Sequence, residues 1–174
     1  MNKSLYFYLI EELSMNRLAN IVVAGALLAS GVVWAAPAKD AAEAQKAEDT
    51  RKAHFKEMGK TWEPIANMLR KKQPYDAAVV EKAAAQVAEL AKKIPPLFEV
   101  DTRPFKEIKT EALDGIWTSL ADFKAKADEL NRAALGLSEV SKGGGNAATF
   151  TKDAAAVGKA CSGCHDSFRM KKSD

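Results

Sequence analysis

The stretch Leu113–Leu137, LDGIWTSLADFKAKADELNRAALGL, carries apolar residues that alternate at spacings of three and four. Because an α-helix turns once every 3.6 residues, this spacing puts the apolar residues on one face of a helix. They are Leu113, Ile116, Leu120, Phe123, Ala127, Leu130, Ala134 and Leu137. The stretch therefore predicts one long helix with a single apolar seam.

Three further segments of the chain show the same period. Their apolar positions are Phe55, Met58, Trp62, Ile65 and Leu69, then Val80, Ala83, Val87, Leu90 and Ile94, and finally Phe150, Ala154, Val157, Cys161, Cys164 and Phe168. Four amphipathic helices bury their seams best by packing against one another. The sequence therefore predicts an all-α fold, an antiparallel four-helix bundle that can hold a cofactor between facing helices.

Turn-forming and helix-breaking residues separate the four segments. Asp76 follows a short polar turn and is predicted to cap the second helix, which the prolines of residues 94–96 should end. Residues 97–110 are expected to cross an end of the fold, and the stretch Gly143-Gly144-Gly145-Asn146 separates the last two helices. Pro64 should kink the first helix or mark an irregularity there.

The N-terminal part of the chain has the features of a secretory signal peptide. A basic start after Met15 leads into an apolar stretch that ends in small residues. We expect cleavage after Ala35 and export to the periplasm, with residues 1–14 an extension upstream of the true start. An uncleaved membrane anchor is the alternative, because the apolar stretch approaches the roughly 17 residues that can span a bilayer.

The predicted domain organisation is therefore a signal peptide over residues 1–35, a linker-like N-terminus over 36–47 and one helical domain over 48–172. The 26 basic and 23 acidic residues are interspersed, and the formal charge is +3. No basic stripe with interleaved aromatic residues is present in the sequence, so nucleic acid is not expected as a partner.

The two cysteines of the chain lie together in Cys161-Ser-Gly-Cys164-His165, on the seam of the last helix. Spacings of three and four put both thiols and the imidazole on one side of that helix. Cys-x-x-Cys-His is the attachment signature of c-type haem, in which the thiols add to the two vinyl groups and the imidazole ligates iron. We therefore predict one covalent haem c held by Cys161 and Cys164, with His165 as the metal ligand.

Two other interpretations of the motif are weaker. A structural zinc ion needs four ligands, and neighbouring Cys164 and His165 could hardly both reach one tetrahedral ion from a helix. A haem-free thiol-disulfide oxidoreductase would place its cysteines at a helix N-terminus beside a βαβ unit. Here the cysteines are deep in the last helix and no strand pattern accompanies them.

Residues 48–172 resemble the cytochrome c′ family and its methionine-ligated, low-spin relatives. The matching features are the stretch Gly158–Arg169, the Pro74-Tyr75-Asp76 turn, Ile116-Trp117, and Arg51 four residues before Phe55. The resemblance implies thioether attachment at Cys161 and Cys164, with His165 as the proximal ligand. It also implies a homodimer formed through the first two helices.

Further positions take their expected roles from the same resemblance. Arg51 matches a residue whose guanidinium contacts a haem propionate, and Arg169 matches a basic residue beside the proximal histidine. Lys52 and Glu111 match weaker haem-contact positions, for which plain surface placement is the alternative.

Phe55 occupies the position of the sixth iron ligand in the methionine-ligated relatives. Because a phenyl ring cannot coordinate iron, the resemblance implies a five-coordinate, high-spin haem with an apolar distal face. Such a face accepts NO and CO but offers O₂ no hydrogen-bond donor. Met58 and then His54 are the alternative ligands, although a methionine on a seam is usually core and His54, off the seam, is expected in solvent.

The sequence thus predicts a periplasmic electron-transfer and diatomic-gas-binding protein rather than an enzyme. A six-coordinate, low-spin electron shuttle is the alternative. Its partners would be periplasmic electron donors and acceptors, with NO or CO as ligands. Because two haem propionates reduce a mature charge of +3, electrostatic steering toward a partner is expected to be weak.

Overall fold

A computed structural model of the chain describes residues 35–171. The long helices are α1 (Ala41–Leu69), α2 (Ala77–Lys92), α4 (Leu120–Ser141) and α5 (Ala147–Phe168), and a short helix α3 (Gly115–Thr118) precedes α4. A 3₁₀ turn, Pro95–Phe98, follows α2. The prediction of a mainly helical fold is confirmed. Cleavage after Ala35 and the start at Met15 depend on residues that lie outside the described part.

The chain preceding α1 is not linker-like, which corrects the prediction for residues 36–47. Ala36–Pro37 forms strand β1, which pairs in parallel with β2 (Val100–Asp101). Asp40 then caps α1 by accepting a hydrogen bond from the Glu43 amide at 2.8 Å. Because Ala, Glu, Gln and Lys are strong helix formers, α1 extends back to Ala41 even without a continuous apolar seam.

The predicted helix boundaries are largely confirmed. The Asp76 carboxylate accepts from the Val79 amide at 3.1 Å and caps α2. Asn146 caps α5 through the Ala148 and Thr149 amides, each at 3.0 Å. Helix α1 continues through Pro64 and ends only at Leu69.

The long helix predicted from Leu113 is interrupted at Ser119, where φ is −135° and ψ is 50°. The Thr118 hydroxyl donates to the Gly115 carbonyl, and such hydrogen bonds from Ser and Thr compete with helix continuation. The Trp117 indole donates to the Phe98 carbonyl at 3.0 Å. This bond fixes α3 against the turn that follows α2.

Most residues of the predicted seams are buried, although Phe55 is 36% exposed, and the core also includes Phe98 outside the seams. Helix α2 packs along α4, and α4 packs along α5. Val80, Leu137, Ala154 and Val157 are completely buried. Within residues 35–171, no helix is both long enough and apolar enough to cross a membrane.

Candidate functional site

A cavity of about 830 Å³ lies between α1 and α5. This volume is within the roughly 300–1,000 Å³ that is usual for cofactor and ligand sites. Helix α1, the chain around Lys109–Ala112, α4 and α5 contribute its wall. The apolar part of the wall includes Phe55, Met58, Trp62, Phe98, Ile116 and Leu130.

Helix α5 brings Cys161, Cys164 and His165 together in the wall of this cavity, as their spacing predicts. Burial raises the pKa of the Cys161 thiol, and burial together with Cys161 raises the pKa of Cys164 to about 11. Burial also lowers the pKa of His165, and the charge of Arg169 adds to this effect. At neutral pH the thiols are therefore protonated and the imidazole is neutral.

These protonation states bear on the chemistry of the motif. A neutral imidazole is the form of histidine that ligates a metal ion. A thiol-disulfide oxidoreductase instead needs a thiol whose pKa is lowered, so that a thiolate is available at neutral pH. The environment of Cys161 and Cys164 has the opposite effect, which counts against that interpretation.

Arg51 lines the cavity, yet its guanidinium is already bonded to the chain around β2. Nε donates to the Leu97 carbonyl at 2.9 Å, one terminal nitrogen to Thr102 Oγ1 at 3.1 Å, and the other to the Val100 carbonyl at 2.5 Å. Its carbon atom Cζ lies 4.5 Å from the centre of the Phe98 ring. Arg51 therefore ties α1 to this loop, and the propionate contact stays a prediction.

Glu48 is a buried site residue that the sequence reasoning did not find. Its carboxylate lies 3.7 Å from an Arg51 nitrogen and 3.4 Å from Lys52 Nζ, and it accepts from Thr110 Oγ1 at 2.9 Å. The sequence did contain a signal for this cluster. Glu48, Arg51 and Lys52 are at positions i, i+3 and i+4, which share one face of a helix. Lys52 also donates to the Lys109 carbonyl at 2.9 Å.

Glu111 and Arg169 both line the cavity and form an ion pair. Glu111 Oε2 lies 2.7 Å from both Nε and a terminal nitrogen of Arg169. An isolated antiparallel bridge between Ala112 and Arg169 holds the two backbones together. The structure thus places Arg169 beside the imidazole of His165, where its charge contributes to the lowered pKa.

The three α1 residues considered for the sixth coordination position differ in their surroundings. Phe55 and Met58 both line the cavity. His54 does not, and the expectation that it faces solvent is wrong: it is buried, and Nε2 lies 3.0 Å from the Leu90 carbonyl. The seam pattern missed this because a residue beside the seam can turn toward α2, which packs against α1.

The donor set fits a haem c. Among the residues that the structure describes, no three His, Cys, Asp or Glu side chains are grouped so that they could hold a metal ion alone. An iron bound at His165 would therefore take most of its ligands from outside the chain, as porphyrin nitrogen atoms provide. Two thiols and one imidazole in a mostly apolar wall match such a group.

Comparison with known proteins shows consistent similarity to one family. A family model described as Cytochrome C′ matches residues 46–169. The chain is 37% identical over 123 residues to a cytochrome c′ of Rhodopseudomonas palustris, covering 71% of this chain and 81% of that protein. It is 30% identical over 125 residues to a cytochrome c-556 of Agrobacterium tumefaciens, covering 71% and 94%.

Solved structures give the same result. The structure of a cytochrome c′ from Rhodopseudomonas palustris superposes with a TM-score of 0.66 at 35% identity, covering 73% of this chain and 98% of the other. One from Shewanella frigidimarina superposes with a TM-score of 0.64 at 31% identity, covering 74% and 97%.

Proposed function

Because this chain belongs to the cytochrome c′ family, we propose that it is a periplasmic protein that transfers single electrons and binds NO or CO at a five-coordinate, high-spin haem c. The four long helices would run antiparallel around the haem, and two copies would associate through α1 and α2. The protein would act as an electron carrier and gas-binding protein rather than as an enzyme.

Phe55 in the cavity wall is the observation that carries the five-coordinate proposal. Its ring has no atom that can coordinate iron and no hydrogen-bond donor. It stands where the methionine-ligated relatives are expected to supply a ligand. With the apolar side chains around it, Phe55 would leave the distal side of the haem accessible to small uncharged molecules.

Bound haem supplies an iron atom that changes reversibly between the ferrous and ferric states and can take a diatomic ligand. The chain's own residues hold and adjust it. Cys161 and Cys164 would fix it covalently, and the neutral imidazole of His165 would ligate the iron. Arg169, close to that imidazole, would lower the electron density it donates.

The optical absorption spectrum of the exported protein tests this proposal. We expect a high-spin spectrum in the oxidised and reduced states and a shift when CO is added to the reduced protein. Phe55→Met should give a low-spin spectrum that responds little to CO, whereas Met58→Leu should leave the spectrum unchanged. A low-spin, CO-insensitive spectrum of the unmodified protein would contradict five-coordinate iron.

Met58 gives a second candidate function, that of a six-coordinate electron shuttle. It is buried and lines the cavity, so a thioether is present in the wall. If Met58 is the ligand, Met58→Leu should convert a low-spin spectrum into a high-spin, CO-responsive one. The same variant therefore separates the two candidates. Mass spectrometry of a periplasmic extract would test export and the mature start at Ala36.

A further inference from the structure

The charged residues that line the cavity are unevenly distributed in sign. Five of them are basic and two are acidic. The basic ones are Arg51, Lys52, Lys56, Lys109 and Arg169, and the acidic ones are Glu48 and Glu111. The two negative charges of haem propionates would leave the basic side chains in excess. The low net charge of the whole chain therefore conceals a local asymmetry at this cavity.

Both acidic residues are already paired within the protein. Glu48 is buried beside Arg51 and Lys52, and Glu111 is paired with Arg169. By contrast, the amines of Lys56 and Lys109 make no hydrogen bond or ion pair within residues 35–171. Both residues are exposed, so their charges face solvent at the edge of the cavity.

Three of these basic residues, all lysines, line the same part of the cavity wall. Lys52 and Lys56 are four residues apart on one face of α1, a spacing at which like charges destabilise a helix by a few tenths of a kcal/mol. The hydrogen bond from Lys52 Nζ to the Lys109 carbonyl joins the third lysine to this group. We call Lys52, Lys56 and Lys109 the lysine rim.

We propose that the lysine rim is the docking surface for an acidic face of a redox partner protein, which exchanges electrons with the haem through the mouth of this cavity. The proposal rests on the proposed electron-transfer function. Complementary charge raises the rate at which two proteins meet in a productive orientation. This effect weakens as the salt concentration rises, and it contributes less to affinity than to the rate. Exposed lysines without converging backbone donors suit an extended acidic surface better than a single small anion.

Stopped-flow oxidation of the reduced haem protein by hexacyanoferrate(III) tests the sign of this surface. One electron leaves the ferrous iron, which becomes ferric, and the reagent becomes hexacyanoferrate(II). Lys56→Glu/Lys109→Glu should lower the second-order rate constant at low ionic strength at least fivefold relative to Lys82→Glu/Lys152→Glu. The control pair has the same net charge and lies on α2 and α5 away from the cavity.

Two further measurements make the result specific. The cationic oxidant tris(phenanthroline)cobalt(III) should show the reverse order, reacting faster with the rim variant than with the control. Polyaspartate, as an extended acidic surface, should slow hexacyanoferrate oxidation of the unmodified protein and of the control but not of the rim variant. Equal rates for the two variants, or inhibition by polyaspartate in both, would overturn the docking surface.

Failure of the underlying function gives a different result. If neither reagent oxidises the reduced unmodified protein, the proposed electron transfer is itself wrong. If both reagents oxidise all variants at rates that do not depend on the lysine rim, electron transfer stands and the docking surface is rejected.

Discussion

Apolar residues have the same spacing at the α2–α4 and α1–α5 interfaces, but the two interfaces have different functions. Helices α2 and α4 pack along their lengths, whereas α1 and α5 make few contacts and line the cavity. Buried alanines at positions 84, 88 and 134 let α2 and α4 approach closely. Asn131 and Ser138 on α4 add hydrogen bonds to the α2 carbonyls of Ala88 and Glu81.

Helices α1 and α5 are instead each held to the segment that connects α2 with α3. Arg51 on α1 donates to the Leu97 and Val100 carbonyls, and Arg169, which follows α5, pairs with Glu111. Gly59 and Gly158 line the cavity on the two facing helices. Apolar periodicity alone therefore shows that a face is turned inward, and cannot show whether it meets a protein side chain or a cofactor.

Removing the Arg51 side chain should have the largest effect on stability. Arg51→Ala removes the buried cation beside Glu48 and the donor to the Leu97 and Val100 carbonyls, and loss of one member of a buried ion pair typically costs about 3–5 kcal/mol. Denaturant unfolding of the haem-loaded protein, followed by circular dichroism, would measure this. Arg132→Ala, at an exposed site on α4, should cost less than about 0.5 kcal/mol. Similar losses for both would show that Arg51 does not stabilise the α1–α5 side.

A truncation on the α2–α4 side should destabilise the fold and leave the haem site unchanged. Leu137 is completely buried, so Leu137→Ala should cost about 2–5 kcal/mol of unfolding free energy. Leu135→Ala is the matched control, because Leu135 lies on the same helix and is 39% exposed. The haem spectrum of both variants should equal that of the unmodified protein. A changed spectrum in Leu137→Ala would mean that the two sides are not independent.

Sequence reasoning found the parts of this molecule that depend on local chemistry. Asp76 is predicted as a helix cap because its short polar side chain can bind free amides, and the spacing of Cys161, Cys164 and His165 determines which way they face. Such features need only the residues within one or two turns.

The features that sequence reasoning missed depend on distant segments. The parallel pairing of Ala36 with Val100 joins residues far apart in the chain, so no local pattern announces it. The break at Ser119 accompanies the anchoring of Trp117 on Phe98, and the burial of His54 follows from its contact with Leu90 on α2. Arg51 was identified, but its bonds to residues 97–102 became evident only in three dimensions.

A pair of glycine substitutions would show whether the haem occupies the space beside Gly59. A Cβ added at Gly59 or at Gly136 meets no atom within 4 Å, and both positions are inside helices. Alanine should therefore gain about 0.5–1 kcal/mol from helix propensity at Gly136, on α4 outside the cavity. In the haem-loaded protein we expect a smaller gain at Gly59, because the added methyl group enters the cavity. Equal gains in thermal or denaturant unfolding would show that the haem leaves this space free.

Protonation of His54 should produce the smallest change in the free energy of unfolding. Burial lowers the pKa of His54, although the Leu90 carbonyl and Glu57 oppose this. The unfolded chain, with a histidine pKa of roughly 6.5, therefore binds a proton at a higher pH than the folded chain does. The contribution of His54 to stability is complete above that pH and is lost as the pH falls below it, by at most about 1.4 kcal/mol per pH unit for one proton.

His54→Gln removes this titration and keeps an amide that can donate to the Leu90 carbonyl. Between pH 7 and pH 5, the unfolding free energy of the haem-loaded protein should fall more steeply for the unmodified chain than for the variant. The proposed ligation of iron by His165 would be common to both proteins, so the difference between the two curves isolates His54. Parallel curves would mean that His54 has the same proton affinity in the folded and unfolded chains, and that its burial against α2 does not disfavour its charge.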